Sequence, residues 1–206
     1  MLKKIVLSLT ESNKKFVIYY IILLIVSILL FNFFDKKIAI LIKENNNSIK
    51  DIFNYITYFG KGELYLVPPL IIYFIYKNKN KNRATASLIL FNAVLFSGIF
   101  VNLLKVIFAR YRPRMLDSGE YGFSWFDFGH SVASFPSGHS ATALSAFVVF
   151  ALIIPKFRNL FIFVGIIIAL SRIVVGAHYL SDVIVGGIIG ASFALTIYNM
   201  QKKSIV

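Results

Sequence analysis

Six long apolar runs constrain this chain more than any other feature. They cover residues 16–34, 64–76, 84–104, 141–154, 160–175 and 179–200. About 20 apolar residues of α-helix cross the roughly 30 Å hydrocarbon layer of a membrane, and the runs 16–34 and 84–104 reach that length without a charged residue. With 58% hydrophobic and 15% charged residues, the chain is also far more apolar than a soluble domain. The runs therefore predict an integral membrane protein.

The predicted fold is all-α. It is a single domain over residues 1–206, a bundle of six transmembrane helices with short interfacial helices between the first two spans. The first run ends at Asp35-Lys36-Lys37 without a small-residue cleavage site, which favours a retained anchor over a secretory signal. The weakest span, 64–76, contains Pro68 and Pro69 and is predicted to begin at Glu63. Residues 36–61 carry apolar positions at helical spacing among polar ones, which predicts the short helices at the membrane surface.

The net charge of +13 predicts orientation rather than a nucleic-acid partner. Nucleic-acid binding needs basic patches on a polar surface, and this composition supplies no such surface. If the N-terminus is cytoplasmic, the inner loops hold 12 of the 22 Lys and Arg residues but one of the nine acidic residues. Positive residues favour the cytoplasmic side. Both termini are therefore predicted to be cytoplasmic, and the basic inner face is expected to contact membrane lipids.

Five of the ten cations on the predicted outer side are Lys105, Arg110, Arg112, Arg114 and Arg172, and of these Lys105 and Arg172 lie near the ends of spans. Ionisable groups at membrane depth are costly and are expected to face a partner or a ligand. Because all five are positively charged, they would repel one another if the fold brought them together, unless an anion bound between them. Arg and Lys side chains are well suited to bind phosphate. For Arg110 and Arg114 taken alone, extension to the lipid headgroups is an equally good interpretation.

Phe135-Pro136-Ser137-Gly138-His139-Ser140 directly precedes an apolar run. Ser137 is a natural N-cap, and the free amides of the first turn, with the helix dipole, form a cradle for an anion. Taken alone, the pattern is more often a simple helix cap.

His178 and Asp182 lie four residues apart at the start of the last run, so they share a helix face. A hydrogen bond from one imidazole nitrogen to the carboxylate would leave the other nitrogen as a nucleophile or a base. The alternatives are a structural pair or two metal ligands. Metal binding is disfavoured because the surrounding cations repel a metal ion and clustered acids are lacking.

Two further features complete the pattern. Residues 114–135 form a long outer loop rich in aromatic residues, which is typical of an interfacial belt; it also holds His130, outside the motifs. Gly186 and Gly190 give the last span a small-residue face, predicted to pack inside the bundle.

Together, three motifs resemble the signature of the type 2 phosphatidic acid phosphatase superfamily, which includes integral-membrane lipid phosphatases and soluble vanadium haloperoxidases. They lie between residues 105 and 182 and read Lys105-x6-Arg112-Pro113, Pro136-Ser137-Gly138-His139, and Ser171-Arg172-x5-His178-x3-Asp182.

The resemblance implies a role for each motif residue. His178 would attack phosphorus and form a phosphohistidine, Asp182 would hold and polarise His178, and His139 would protonate the leaving oxygen and later assist water. No metal and no cofactor is implied. The residues that would hold the phosphate oxygens are Lys105, Arg112, Ser137, Gly138 and Arg172.

The expected function is therefore hydrolysis of a lipid phosphate monoester or pyrophosphate in a bacterial inner membrane, at a site facing the periplasm. The resemblance suggests undecaprenyl pyrophosphate, phosphatidylglycerol phosphate, phosphatidic acid and lipid A 1-phosphate as substrates, without choosing among them. A lipid phosphotransferase of the same fold and a non-catalytic headgroup-binding protein are alternatives. Haloperoxidase activity is disfavoured because the known enzymes are soluble.

Overall fold

The computed structural model describes residues 21–45 and 49–202. Within these ranges the chain forms α-helices joined by short 3₁₀ helices at Pro113–Ser118, His130–Val132 and Pro155–Phe157. The first residues of the predicted anchor, 16–20, and the terminal charges that bear on orientation, except Lys202, lie outside the described residues. The helices are α1 (Ile21–Phe33), α2 (Asp35–Asn45), α3 (Ile49–Tyr58), α4 (Glu63–Tyr76), α5 (Lys81–Phe108), α6 (Gly138–Ile153), α7 (Arg158–Val174) and α8 (Leu180–Gln201).

Among the described residues, three helical segments are long and apolar enough to cross a membrane: α5 with 28 residues, Pro155–Val174 with 20, and α8 with 22. Helix α6 and the described part of α1 are apolar but shorter. Helix α4 begins at Glu63, as predicted, and contains both prolines. The prediction of an all-α membrane protein is confirmed. The count of six spans stays a prediction, as does the single domain.

The short helices predicted between the first two spans are α2 and α3. Both are amphipathic in pattern, and none of the α3 residues is buried, which fits helices that lie on the bundle rather than within it. Their position at the membrane surface remains a prediction.

Helix α6 lies at the centre and packs against α5, α7 and α8. Its contact with α8 is backbone to backbone, because a Cβ added to Gly186 would lie 2.3 Å from Ser137 O and one added to Gly190 would lie 2.1 Å from Ala141 O. Only glycine permits this approach. The prediction that this glycine pair packs inside the bundle is therefore confirmed.

The three motifs meet at one end of the bundle. Helices α5 and α7 end there and α6 and α8 begin there, so the chain reverses direction next to the motif residues. A hydrogen bond of 3.0 Å from Ser137 N to Asp182 O ties the start of α6 to the start of α8. This junction places the second motif beside the third.

Candidate active site

The N-terminus of α6 is capped as the sequence predicts. Ser137 has extended backbone angles, and its Oγ accepts hydrogen bonds from Ser140 N at 3.4 Å and from Ser140 Oγ at 2.8 Å. A Cβ added to Gly138 would lie 3.5 Å from the Nζ of Lys105. The Lys105 ammonium group therefore lies directly beside the first turn of α6, where helix amides and dipole already favour an anion.

Arg112 and Arg172 complete the cation cluster. Arg112 donates to His130 O at 2.9 Å and to Ala133 O at 3.2 Å, and burial, with repulsion from Arg114, lowers the pKa of its guanidinium. Arg172 donates to Thr57 Oγ1 at 2.6 Å, but its buried Nε lacks a hydrogen-bond partner among the described residues. Lys105, Arg112 and Arg172 lie close enough to repel one another. The cluster is therefore suited to an anionic ligand.

The imidazole of His178 is buried, and its Nδ1 lies 2.7 Å from the backbone oxygen of Ser134. The prediction that the imidazole donates a hydrogen bond to Asp182 is wrong, because Asp182 Oδ2 lies 3.8 Å from Nδ1. A carbonyl oxygen only accepts, so Nδ1 carries the hydrogen and Nε2 carries the lone pair. Burial lowers the pKa of His178 to about 4, against the opposing effect of Asp182. The imidazole is therefore neutral at neutral pH.

Asp182 orders the loop around His178 without bonding to the imidazole. Its Oδ2 accepts from Ser134 Oγ at 2.6 Å and from Tyr179 N at 2.9 Å. Ser134 thus bonds Asp182 through its side chain and His178 through its carbonyl. The carboxylate holds both segments that fix the imidazole.

The interpretation that Arg110 extends to the lipid headgroups is wrong, because its side chain is fully buried between Asp35 and Asp182. Arg114 is exposed, and its Nη2 lies 2.9 Å from His130 Nδ1. The two arginines that the sequence treats alike therefore have different environments.

His139 lies in the first turn of α6, near both His178 and Arg172. Gly60, just after α3, faces it so closely that a Cβ added there would lie 3.0 Å from His139 Cβ and Cδ2. Sequence reasoning missed Gly60, as it missed Thr57, Ser134 and Asp35. Of these, Asp35 had a signal, since it is an acidic residue directly at the end of an apolar run.

A cavity of about 750 Å³ opens beside His178 and Arg112. It is bounded by α2, the 3₁₀ helix Pro113–Ser118 and the α7–α8 loop. Besides Arg112, its lining contains Lys36, Lys50 and Arg114. The site can therefore admit a group much larger than a phosphate.

Known proteins are similar to this chain in sequence and in fold. A lipid A 1-phosphatase of Rhizobium johnstonii is 48% identical over 108 residues, 52% of this chain and 44% of that protein. A lipid A 1-phosphatase of Rhizobium etli is 35% identical over 165 residues, 74% of this chain and 71% of that protein. The chain thus spans less than half the length of the first relative.

The fold matches the crystal structure of a PAP2 type phosphatidylglycerolphosphate phosphatase from Bacillus subtilis. The TM-score is 0.61 and the identity 18%, over 91% of this chain and 96% of that one. The profile of the PAP2 superfamily matches residues 86–205, more than half of the chain and all three motifs. The chain therefore belongs to the PAP2 superfamily.

Proposed function

We propose that the chain is a membrane lipid phosphatase that works through a phosphohistidine on His178. The observation that carries this proposal is a buried, neutral imidazole whose Nδ1 is fixed by Ser134 O. The Nε2 atom is then available to attack a phosphate. The cations Lys105, Arg112 and Arg172 lie close to one another at this site.

The reaction has two steps. Nε2 of His178 attacks phosphorus, and the bond from phosphorus to the leaving oxygen breaks as His139 donates a proton to that oxygen. Water then attacks the phosphohistidine, His139 takes a proton from the water, and inorganic phosphate leaves as the N–P bond breaks. His178 returns to its neutral form. The proximity of His139 to His178 supports placing both at the reacting phosphate. Burial and the nearby cations lower the pKa of His139, so His139 takes up the proton that it donates when the phosphate anion binds.

Five further motif residues bind the phosphate oxygens. Lys105, Arg112 and Arg172 provide positive charge, and Ser137 and the Gly138 amide provide the helix N-terminus. Such preorganised groups supply most of the catalysis of phosphoryl transfer. Asp182 acts by holding Ser134 and the Tyr179 amide, and its charge stabilises the cationic imidazole of the intermediate.

Among the four lipid phosphates, we propose lipid A 1-phosphate as the substrate. Two relatives bear the name lipid A 1-phosphatase. The cavity beside His178 supports a large anionic headgroup, because cations outnumber carboxylates in its lining. The cations are Lys36, Lys43, Lys50, Arg112 and Arg114, and the carboxylates are Asp35, Glu44 and Asp117. Undecaprenyl pyrophosphate, phosphatidylglycerol phosphate and phosphatidic acid are the comparison substrates.

We further propose that the protein lies in a bacterial inner membrane with both termini in the cytoplasm and the site on the periplasmic side. The support is the basic loop between α4 and α5, at the end of the bundle away from the motifs. A reporter fused after Val206 should give a cytoplasmic signal. A periplasmic signal would contradict this orientation.

Phosphate release by the purified full chain tests the activity. We expect release from lipid A 1-phosphate to exceed release from the other three lipids, and His178→Ala to abolish it. Lys156→Gln, on the opposite side of the bundle, is the matched control and should keep wild-type activity. Labelled phosphate recovered on a second lipid instead of in solution would indicate a phosphotransferase, and no turnover with any lipid would indicate a headgroup-binding protein.

A further inference from the structure

A buried cluster of charged residues lies behind the proposed active site. Asp35, Arg110 and Asp182 are 1%, 0% and 0% exposed. The Nη2 of Arg110 lies 2.9 Å from Asp35 Oδ2, and its Nη1 lies 2.5 Å from Asp182 Oδ1. One guanidinium therefore bridges two carboxylates, which leaves this buried cluster with a net charge of −1.

Asp35 also bonds the start of α8. Its Oδ1 accepts from Ser181 N at 3.1 Å, and its Oδ2 accepts from Ser181 Oγ. Arg110 Nη1 donates to the same hydroxyl at 2.7 Å. Asp35 is the first residue of α2, outside the 86–205 segment that matches the family. A residue of the N-terminal segment is thus bonded to the helix that carries Asp182.

The guanidinium is held by rings as well as by charges. Its Cζ lies 4.2 Å from the centre of the Tyr179 ring and 4.7 Å from that of Phe31 in α1. Tyr121 OH donates to Phe31 O and fixes that part of α1. A planar cation between two rings and two carboxylates has one orientation, which a lysine ammonium cannot reproduce.

We propose that Arg110 and Asp35 are positioning residues for the proposed reaction: Asp35 holds Arg110, Arg110 fixes the Asp182 carboxylate, and Asp182 fixes the loop that carries His178. The final links are the bonds from Ser134 Oγ and Tyr179 N to Asp182 and the bond from His178 Nδ1 to Ser134 O. The inference rests on the proposed phosphatase activity. Arg110 and Asp35 touch no reacting atom and act through Asp182.

The cluster of Asp35, Arg110 and Asp182 also sets the electrostatic potential at the imidazole of His178. Asp35 takes part of the positive charge of Arg110, so Asp182 keeps more of its own negative charge toward the imidazole 3.8 Å away. The other charged or titratable groups around His178 come from every neighbouring segment: Lys105 of α5, Arg112 of the α5–α6 loop, His139 of α6 and Arg172 of α7. All of these remain in place when Asp35 or Arg110 is replaced.

Asp35→Asn and Arg110→Gln therefore have opposite effects on the pH profile. Removing the negative charge of Asp35 lets Arg110 neutralise Asp182 more fully, so Asp182 stabilises protonated His178 less. The acid limb of kcat/KM, where the rate rises as His178 loses its proton, therefore moves to lower pH. Removing the positive charge of Arg110 leaves Asp182 uncompensated, so the acid limb moves to higher pH. Both variants should lower kcat about tenfold or more, with KM within about twofold, as groups that orient a reacting side chain do.

The experiment measures kcat, KM and the pH profile of full-length variants in detergent, with thermal unfolding to select folded protein. Asp51→Asn, at the exposed first turn of α3, and Arg83→Lys, at the exposed start of α5, are the matched controls and keep wild-type kinetics. Combining Asp35→Asn with Arg110→Gln should lower kcat by less than the product of the two single losses, because Asp35 acts on Asp182 through Arg110 as well as through its own bonds to Ser181.

The proposal would be overturned if the loss of kcat in the double variant equals the product of the two single losses. It would also be overturned if the acid limbs of kcat/KM in Asp35→Asn and Arg110→Gln move in the same direction. If Asp35→Asn does not fold, Arg110→Lys decides: it keeps the charge but cannot bridge two carboxylates, so wild-type kcat would overturn the positioning role and a tenfold loss supports it. Absence of phosphatase activity in the wild-type chain would instead overturn the proposed function.

Discussion

Replacing Gly186 with alanine tests the contact that places the phosphate cradle beside the His178 loop. The added methyl group would lie 2.3 Å from Ser137 O and 3.1 Å from Ser137 C and N. These are backbone atoms, so no side-chain rotation relieves the overlap. Helices α6 and α8 must separate by about 1 Å to reach ordinary contact at 3.4 Å.

This separation moves Ser137 and the first amides of α6 away from His178. A misplacement of 1 Å costs on the order of 100-fold in rate, which corresponds to about 2.7 kcal/mol of transition-state stabilisation. The overpacked contact should also lower the free energy of unfolding by about 1–3 kcal/mol. We therefore expect Gly186→Ala to be less stable but folded, with kcat/KM reduced about 100-fold.

The assay is phosphate release by purified variants, with thermal unfolding measured on the same samples. Gly187→Ala is the matched control, because its methyl group would meet Leu144 Cγ at 3.4 Å, an ordinary contact. Gly98→Ala, with nothing within 4 Å, is a second control. Folded Gly186→Ala with wild-type kcat/KM would refute the link between the helix contact and the cradle.

Three other predictions concern the site itself. Because burial lowers the pKa of His178 to about 4 and the neutral imidazole attacks, kcat/KM should rise as pH rises through about 4; an acid limb near 6.5, the ordinary histidine value, would contradict this. Gly60→Ala should displace the His139 ring and lower kcat about tenfold, whereas Gly62→Ala, with its nearest contact at 3.9 Å, should match wild type in the same assay. Turnover should survive EDTA and be blocked by vanadate; loss in EDTA that a divalent cation restores would be inconsistent with a site built from cationic side chains.

The sequence predicts the fold class and the motif residues because both depend on local patterns. Apolar length defines the membrane helices, and Ser137 caps α6 as its position before an apolar run indicates. The spacing of Gly186 and Gly190 also predicts a close helix contact, although the sequence alone leaves the partner helix unknown. In the structure the partner is α6.

The rest depends on contacts between distant segments. The distinction between Arg110 and Arg114 could not be predicted, because only the fold brings Asp35 within 2.9 Å of Arg110. The hydrogen-bond partner of His178 is a backbone carbonyl, which any residue at position 134 would supply. Helical spacing made Asp182 the natural partner, but three other donors already occupy its oxygens.

The phosphohistidine is the central claim, and trapping it is the most direct test. Rapid acid-free denaturation during turnover of a lipid labelled at its phosphate should leave label on the protein. The account predicts label that is labile in acid, stable in base and located on His178, and no label on His178→Ala. Label on another residue, or rapid turnover by His178→Ala, would contradict the account.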